Sequence, residues 1–478
     1  MYASQPGIGK ALLRGMVLLS VIALAASFAA AQPAGTPDST AMKGTPQPMA
    51  APHGVAPEPD HSGVLSNRWD QLPPGEISYF RPHDARGLNM FESPKHEGIP
   101  YTGNKIQWGA AFAQQFQHLT HDNSAVPVIV GGVDKNQLID IGPGFNNADA
   151  NLFLDAQIER GIRVALTLYL SSRHHNETWV KDGFIQFDGS PIDHPVLNSW
   201  MKYLTLKAGH FEINYGDQHF RDSDNGNTVF NPFVGNLIMR GFTTEIGAEL
   251  YYRTGPWMAM GGMTGGEIHG QVTQPEHRTP TYLGKGGFDS QISPALRVRL
   301  TGSVYRNAKT VGNTLYSGSR AGSRYYDVLE NTQSTESAQA WSGEIQPGFT
   351  ERVTAFVANP FLKFKGLELF GNIEQAEGGG PAELANRKWR QNAGEAVYRI
   401  FHEQLYGGFR FDRASGVPAG LTQNVTVDRM QYAGGWYLTP RLLGKVEYVR
   451  QLYMDYPATD IHAGGVFQGF MFEGVVAF

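Results

Sequence analysis

Charged side chains recur on the polar face of alternating segments, where they could set the electric potential of a water-filled passage. The basic candidates are Lys207, Arg297, Arg299, Arg399, Arg410, Arg429 and Lys445, with Arg221 and Arg240 in a long polar loop. The acidic candidates of the same parity are Asp155, Glu159, Glu245, Glu249, Asp412 and Glu447. Rings of fixed charge determine which ions enter a pore, but opposite charges on neighbouring strands also pair with each other. The sequence therefore predicts pore-lining residues and leaves their pairing open.

Patterns for catalysis or metal binding are weaker. The run at 222–226 (DSDNG) begins like a calcium-binding loop, but its twelfth position is Phe233 instead of the bidentate Glu that such loops require. An Asx-rich turn is the simpler interpretation. No HExxH spacing accompanies the histidines His174, His175, His210 and His219. We therefore predict no catalytic residue, no metal site and no cofactor.

The composition excludes several classes of protein. The 478 residues include 57 Gly, 27 Phe and no Cys, and charged residues make up 17%, against ~25% in typical soluble domains. The lack of cysteine excludes disulfide scaffolds, thiolate metal sites and cysteine nucleophiles. A formal net charge of -5 disfavours nucleic-acid binding, which requires a basic face. The negative mean hydropathy excludes a bundle of spanning helices, each of which needs ~20 apolar residues.

The N-terminal part has the pattern of an exported protein. Lys10 and Arg14 precede an apolar core at 15–28, and Ala29-Ala30-Ala31 supplies the small residues of a cleavage site. We predict a cleaved signal peptide over 1–31. Residues 32–66, rich in Pro and Ala, are predicted to be a disordered linker. Residues 67–103 are predicted to form a periplasmic N-terminal extension or a plug-like segment, and 104–478 the main domain.

From residue 104 onward the hydrophobic pattern has a period of two. Ile162, Val164, Leu166, Leu168 and Leu170, for example, alternate with more polar neighbours. The pattern predicts an all-β chain of sixteen strands, at 104–118, 150–159, 162–171, 178–188, 201–214, 241–253, 257–265, 281–289, 295–306, 349–359, 366–376, 391–401, 404–413, 427–438, 442–454 and 461–478. If 337–348 is also a strand, the count becomes eighteen.

Three features favour a transmembrane antiparallel barrel over a sandwich. The strands run about ten residues, the length that a tilted strand needs to cross a bilayer. Short and long connections alternate, as in outer-membrane barrels with short periplasmic turns. Aromatic residues stand at strand ends, where a membrane interface would place them: Trp108, Tyr252, Trp257, Trp436, Tyr448 and Phe478. An even strand count puts both ends of the barrel in the periplasm.

The closing strand carries a further cue, because Phe470, Phe472, Val476 and the terminal Phe478 share one face. A terminal aromatic resembles the signal that outer-membrane barrels offer to their assembly machinery. We therefore predict that this machinery is a partner of Phe478.

The residues at 204–220 (LTLKAGHFEINYGDQHF), 227–233 (NTVFNPF), 241–266 and 364–379 resemble the phosphate-selective porin O/P family of outer-membrane porins. The resemblance covers strand, glycine and loop order over about 330 residues. It implies a sixteen-stranded homotrimeric porin whose lumen basic residues conduct anions.

The predicted function is that of a porin in the outer membrane of a Gram-negative bacterium, surrounded by lipid. Small hydrophilic solutes or ions, including anions such as phosphate, would diffuse passively through a water-filled barrel, narrowed by the loop at 215–240. Two alternatives remain. One is an outer-membrane hydrolase, although we predict no enzyme activity. The other is a structural or adhesive barrel with a filled lumen, plugged by residues 67–103.

Overall fold

The computed structural model describes residues 77–172, 178–266, 272, 274–318, 322–335 and 342–478. The predicted signal peptide, the linker, residues 67–76, and His174 and His175 lie outside the described residues. Within the described part, no helix has the length and apolar character to cross a membrane.

The described chain is almost entirely β-structure. Its strands are β1 (Lys105–Asp122), β2 (Ile129–Val130), β3 (Val133–Asp134), β4 (Gly144–Glu159), β5 (Ile162–Ser171), β6 (Trp179–Phe187), β7 (Leu204–Glu212), β8 (Thr244–Thr254), β9 (Trp257–Thr264), β10 (Thr281–Ser293), β11 (Leu296–Asn307), β12 (Arg352–Phe364), β13 (Leu367–Gly379), β14 (Arg387–Ile400), β15 (Leu405–Gly416), β16 (Val425–Thr439), β17 (Leu442–Met454) and β18 (Val466–Ala477). The described helices are α1 (Pro195–Trp200) and short 3-10 turns at Ala85–Gly87, Gln218–Phe220 and Pro275–His277.

Strands β1 and β4–β18 form one closed sheet of sixteen strands. Each pairs antiparallel with its neighbours in sequence, and closure comes from β1, where Phe112 lies opposite both Val476 of β18 and Ala150 of β4. The small hairpin β2–β3 stands outside this sheet. The prediction of an all-β antiparallel barrel of sixteen strands is confirmed.

Several predicted boundaries shift. β1 continues to Asp122 because its last residues keep pairing with β18 up to Val466. The strand predicted at 201–214 begins at Leu204, since residues 201–203 continue the helical turns of α1.

The alternative count of eighteen barrel strands is wrong. Residues 342–348, the described part of the candidate extra strand, contain no strand. Gly343 and Gly348 adopt positive φ angles of 77° and 72°, which break an extended run. The Ile345 amide donates to the Ile238 carbonyl, which belongs to a loop and not to a barrel strand.

The two faces of the barrel have opposite character. In β13, Leu369 and Ile373 are exposed on the outside, whereas Glu368, Asn372 and Glu374 are buried on the inside. The girdle aromatics Trp108, Tyr252, Trp257, Trp436 and Phe478 are also exposed. An apolar exterior around a polar interior is the reverse of a soluble core and is the arrangement of a transmembrane barrel. The strands therefore turn their apolar faces outward, as a transmembrane barrel requires.

The two ends of the barrel also differ. One end carries the start of β1, the terminal Phe478, and turns of two to four residues such as 255–256 and 401–404. The other end carries long connections, including 123–143, 213–243 and 308–351. By the usual arrangement of such barrels, the short-turn end is periplasmic.

The lipid-facing exterior predicts a depth-dependent effect of added charge. Ile373→Arg, at the centre of β13, should destabilise the folded barrel by about 2–4 kcal/mol, because the guanidinium faces the bilayer midplane. Thr354→Arg, near the long-loop end of β12, should lower stability by no more than about 1 kcal/mol. Unfolding of the barrel in lipid vesicles, followed by heat-modifiable migration on gels, measures both. Equal losses in the two variants would contradict the assignment of the lipid face.

Candidate functional site: the lumen and its inward loop

The connection between β7 and β8, residues 213–243, folds into the lumen, and we call it the inward loop. Nearly all of its residues are buried. Its backbone amides donate to carboxylates of the barrel wall, Val234 to Glu447 at 2.8 Å and Ile238 to Asp412 at 2.6 Å. Further amides donate to the side chains of Asn151, Asn359 and Gln391. The loop is therefore tied to the wall from β4 round to β17.

Cations of the wall bind the carbonyls of the same loop. Arg410 donates to the Gly235 carbonyl at 2.8 Å, and Arg429 to the Asn236 carbonyl at 2.6 Å. Lys445 donates to the carbonyls of Thr228, Asn231 and Phe233. These side chains lie inside the barrel, where their hydrogen bonds hold the inward loop to the wall.

Most of the predicted charged residues also have a charged or hydrogen-bonding partner. The ion pairs are Arg297–Asp289 (2.7 Å), Arg299–Asp217 (2.8 Å), Arg399–Glu368 (2.9 Å), Arg410–Glu395 (2.7 Å), Lys445–Glu473 (2.5 Å), Arg240–Asp222 (2.6 Å), Asp155–Arg163 (2.5 Å), and Arg221 with Glu368 and Glu395 (3.4 Å each). The acids Glu245, Glu249 and Glu447 accept from the hydroxyls of Tyr305, Tyr251 and Tyr325. Lys207 differs, because it donates to the Glu212 carbonyl at 3.2 Å and forms no ion pair among the described residues.

The segment before β1, residues 77–104, which we call the N-terminal segment, packs inside the barrel at the short-turn end. His83 stacks on Phe153 of β4 with ring centroids 3.5 Å apart. Asn89 donates to Glu368 of β13 at 2.5 Å, so the segment reaches the opposite wall. Its Glu92 lies 2.9 Å from Arg299 and 3.2 Å from Lys285.

Sequence reasoning missed several of these residues. Glu92 and Arg81 lie in a segment without periodicity, so no pattern placed them in the lumen. Lys285 stands in the glycine-rich run GKGG of β10, where few side chains mark the alternation. Lys181, which contacts Glu212 and Asp224, lies at a register shift that obscures the parity of β6.

A small cavity of about 130 Å³ remains between the N-terminal segment, the inward loop and strands β5–β8. Its walls include Arg81, Arg163, Lys207, Arg253 and Glu212. Three of the cations make no ion pair with a carboxylate of the described chain: Arg81 donates to the Phe220 carbonyl, Arg253 to the Ser93 carbonyl, and Lys207 to that of Glu212. By contrast, both carboxylates of the cavity wall pair with cations, Glu212 with Lys181, and Glu92 with Arg299 and Lys285. The cavity is therefore an electropositive pocket.

Burial shifts the pKa values of two groups that lie outside the strands, Arg81 and Asp222. Desolvation lowers the pKa of Arg81 to about 9, against the opposing effect of Glu212, so this guanidinium stays charged at neutral pH. Desolvation raises the pKa of Asp222 in the inward loop, although Arg240 beside it acts in the opposite direction.

Comparison with known proteins shows that the chain resembles solved structures in fold. No protein-family model and no curated protein matches the sequence. The chain is similar in structure to an anion-selective porin from Comamonas acidovorans (TM-score 0.49, 10% identity, 78% of this chain and 100% of that one). It is also similar to OprB from Pseudomonas putida (TM-score 0.45, 12% identity, 79% and 94%) and to the channel DcaP of Acinetobacter baumannii (TM-score 0.45, 8% identity, 80% and 99%). With its closed sheet and apolar exterior, the chain has the fold of a transmembrane β-barrel.

The attachment of the inward loop predicts a stability difference between two arginines. Arg429→Met removes the bonds to the Asn236 and Gly343 carbonyls. The buried Asn236 carbonyl loses this donor, at a cost of about 1–3 kcal/mol, whereas the Gly343 carbonyl keeps its bond from Gln451. Arg413→Met is the control, because Arg413 pairs with Asp428 on the exposed outer face, where such pairs contribute about 0–1 kcal/mol. Thermal unfolding in detergent compares them. A fall in Tm no larger for Arg429→Met than for the control would contradict the anchoring role.

Proposed function

We propose that the chain is a porin of the outer membrane, a passive channel for small hydrophilic solutes and ions. The observation that carries this proposal is a closed sixteen-strand barrel whose charged side chains face inward. Barrels of that size enclose an aqueous channel, whereas eight-stranded barrels are filled by side chains. Transport then requires partition into a polar lumen and passage beside the inward loop.

We infer a preference for anions from the pocket described above. Arg81, Lys207 and Arg253 lack carboxylate partners among the described residues, so their charge is available to a passing ion. A low-dielectric wall focuses the field of such charges. The resemblance to the phosphate-selective O/P family supports the same preference, with phosphate as one candidate solute.

The filled-lumen alternative is supported by the same region. The cavity between the N-terminal segment and the inward loop measures about 130 Å³, which holds roughly four waters at about 30 Å³ each. A barrel closed in this way would act as a structural or adhesive element, unless the N-terminal segment leaves the lumen.

We further propose that the chain assembles as a homotrimer and that the assembly machinery recognises Phe478. The terminal residue exchanges two backbone hydrogen bonds of 2.9 Å with Ala110, while its ring stays exposed on the outside. This ring is therefore accessible from the lipid side. The absence of enzyme activity, of a metal and of a cofactor stays a prediction.

Replacing Lys207 by a neutral residue tests the preference for anions over cations. Lys207→Gln should lower the anion-to-cation permeability ratio, because it removes from the pocket a positive charge that forms no ion pair among the described residues. The matched control is Arg306→Gln, which removes an exposed cation from the outer face of β11. Reversal potentials in planar bilayers under a salt gradient measure both. A wild-type ratio that favours cations, or no change in Lys207→Gln, would contradict the anion proposal.

Removing the N-terminal segment separates the channel from the filled barrel. A chain lacking residues 77–103 should conduct more than the full chain, since His83, Asn89 and Glu92 no longer occupy the lumen. Heat-modifiable migration confirms that the shortened barrel has folded. If the full chain shows no conductance and the shortened chain opens, the filled-lumen function is the better description.

A further inference from the structure

The turn between β6 and β7 differs from the other turns at the periplasmic end. It covers residues 188–203 and contains α1, while the others span two to four residues. Residues 191–200 are all exposed, and α1 buries none of its side chains. A six-residue helix that buries no side chain is marginal in water, so its stability depends on something that covers it.

The helix and the turn that follows it are amphipathic. Successive residues of a helix are about 100° apart, and the helical hydrogen bonds continue past α1, with Met201 N to Leu197 O and Tyr203 N to Trp200 O each at 2.9 Å. The apolar side chains Val196, Leu197, Trp200, Met201 and Tyr203 fall within one arc. The polar side chains Asn198, Ser199 and Lys202 fall within the opposite arc. Trp200, at 64% exposure, is the centre of an uncovered apolar face.

This apolar face continues the lipid-facing girdle of the barrel. The ring of Tyr203 lies 6.1 Å from that of Tyr252, an exposed girdle residue of β8. The Arg253 amide donates to the Tyr203 carbonyl at 2.9 Å, which fixes the end of the turn against β8. Trp257 stands exposed on the neighbouring strand at the same end. Trp and Tyr concentrate where hydrocarbon meets headgroups, so the turn meets the membrane surface at that level.

We propose that α1 lies in the headgroup layer of the periplasmic leaflet, with its apolar face directed into the phospholipid. Amphipathic helices of this kind insert about 5–10 Å, to the boundary between headgroups and acyl chains. Lys202, on the opposite arc, faces the phosphate groups and water. The turn begins at Asp188. The carboxylate of Asp188 pairs with Lys95 of the N-terminal segment and accepts a hydrogen bond from the Thr205 hydroxyl of β7. The helix therefore joins the membrane surface to the segment inside the lumen.

The proposal rests on the membrane placement of the barrel and not on conduction. The chain has no cysteine, so single cysteines can be labelled without background. The variants Trp200→Cys and Leu197→Cys place an environment-sensitive fluorophore on the apolar face. Ser199→Cys is the matched control on the polar face, and Val446→Cys is the reference on the lipid-facing side of β17. Each full-length variant is refolded into vesicles of phosphatidylethanolamine and phosphatidylglycerol and checked by heat-modifiable migration.

We expect the labels at 197 and 200 to shift their emission to the blue and to lose intensity with lipids brominated near the headgroup. The label at 199 should instead be quenched by aqueous iodide. Iodide quenching at 197 and 200 equal to that at 199 would overturn the proposal. So would labels at 197 and 200 that neither quencher reaches, because a second copy of the chain would then cover the helix. If the label at 446 escapes the brominated lipids, the membrane placement itself fails, whatever conductance is measured.

Discussion

The structure depends on one constraint: in hydrocarbon, every backbone N–H and C=O group must find its partner within the protein. A closed sheet meets it, and here closure comes from the pairing of β1 with β18, the first and last strands of the barrel. The alternation of side chains follows, because antiparallel strands that wrap a lumen turn one face to lipid and the other to water. The constraint relaxes at the two rims, where the long connections, α1 and the girdle aromatics lie.

Charge inside the barrel has a structural role as well as an electrostatic one. Carboxylates such as Glu447 and Asp412 accept backbone amides of the inward loop, while Arg410 and Arg429 bind its carbonyls. A loop whose regular structure is one short 3-10 turn thereby finds partners for backbone groups deep in the lumen. Counting basic and acidic residues does not describe the potential of such an interior, since most of the charges cancel in pairs. Arg81, Lys207 and Arg253 at the cavity are among the exceptions, because none of them forms an ion pair among the described residues.

Much of the fold was predictable from the sequence, because the period of two is a local signal. It located all sixteen barrel strands, although the end of β1 and the start of β7 were misjudged where pairing and helical turns replaced alternation. The lumen residues on regular strands, such as Arg399 and Lys445, were found by parity alone. Their partners were not, since contacts such as Asn89–Glu368 join residues 279 positions apart. Arg81 and Glu92 could not be found, because a segment that packs inside a barrel carries no periodicity of its own.

The inward loop contacts wall strands from β4 to β17, so its binding surface is incomplete until the last strands have been made. Contacts of such long range are slow to form, because the chain must be brought together before they contribute. The interior of a partly assembled barrel consequently stays hydrated, with its acids and bases still separated by water. The neutralised lumen is therefore a product of the final stage of assembly, and its formation marks the difference between an open sheet and a finished barrel.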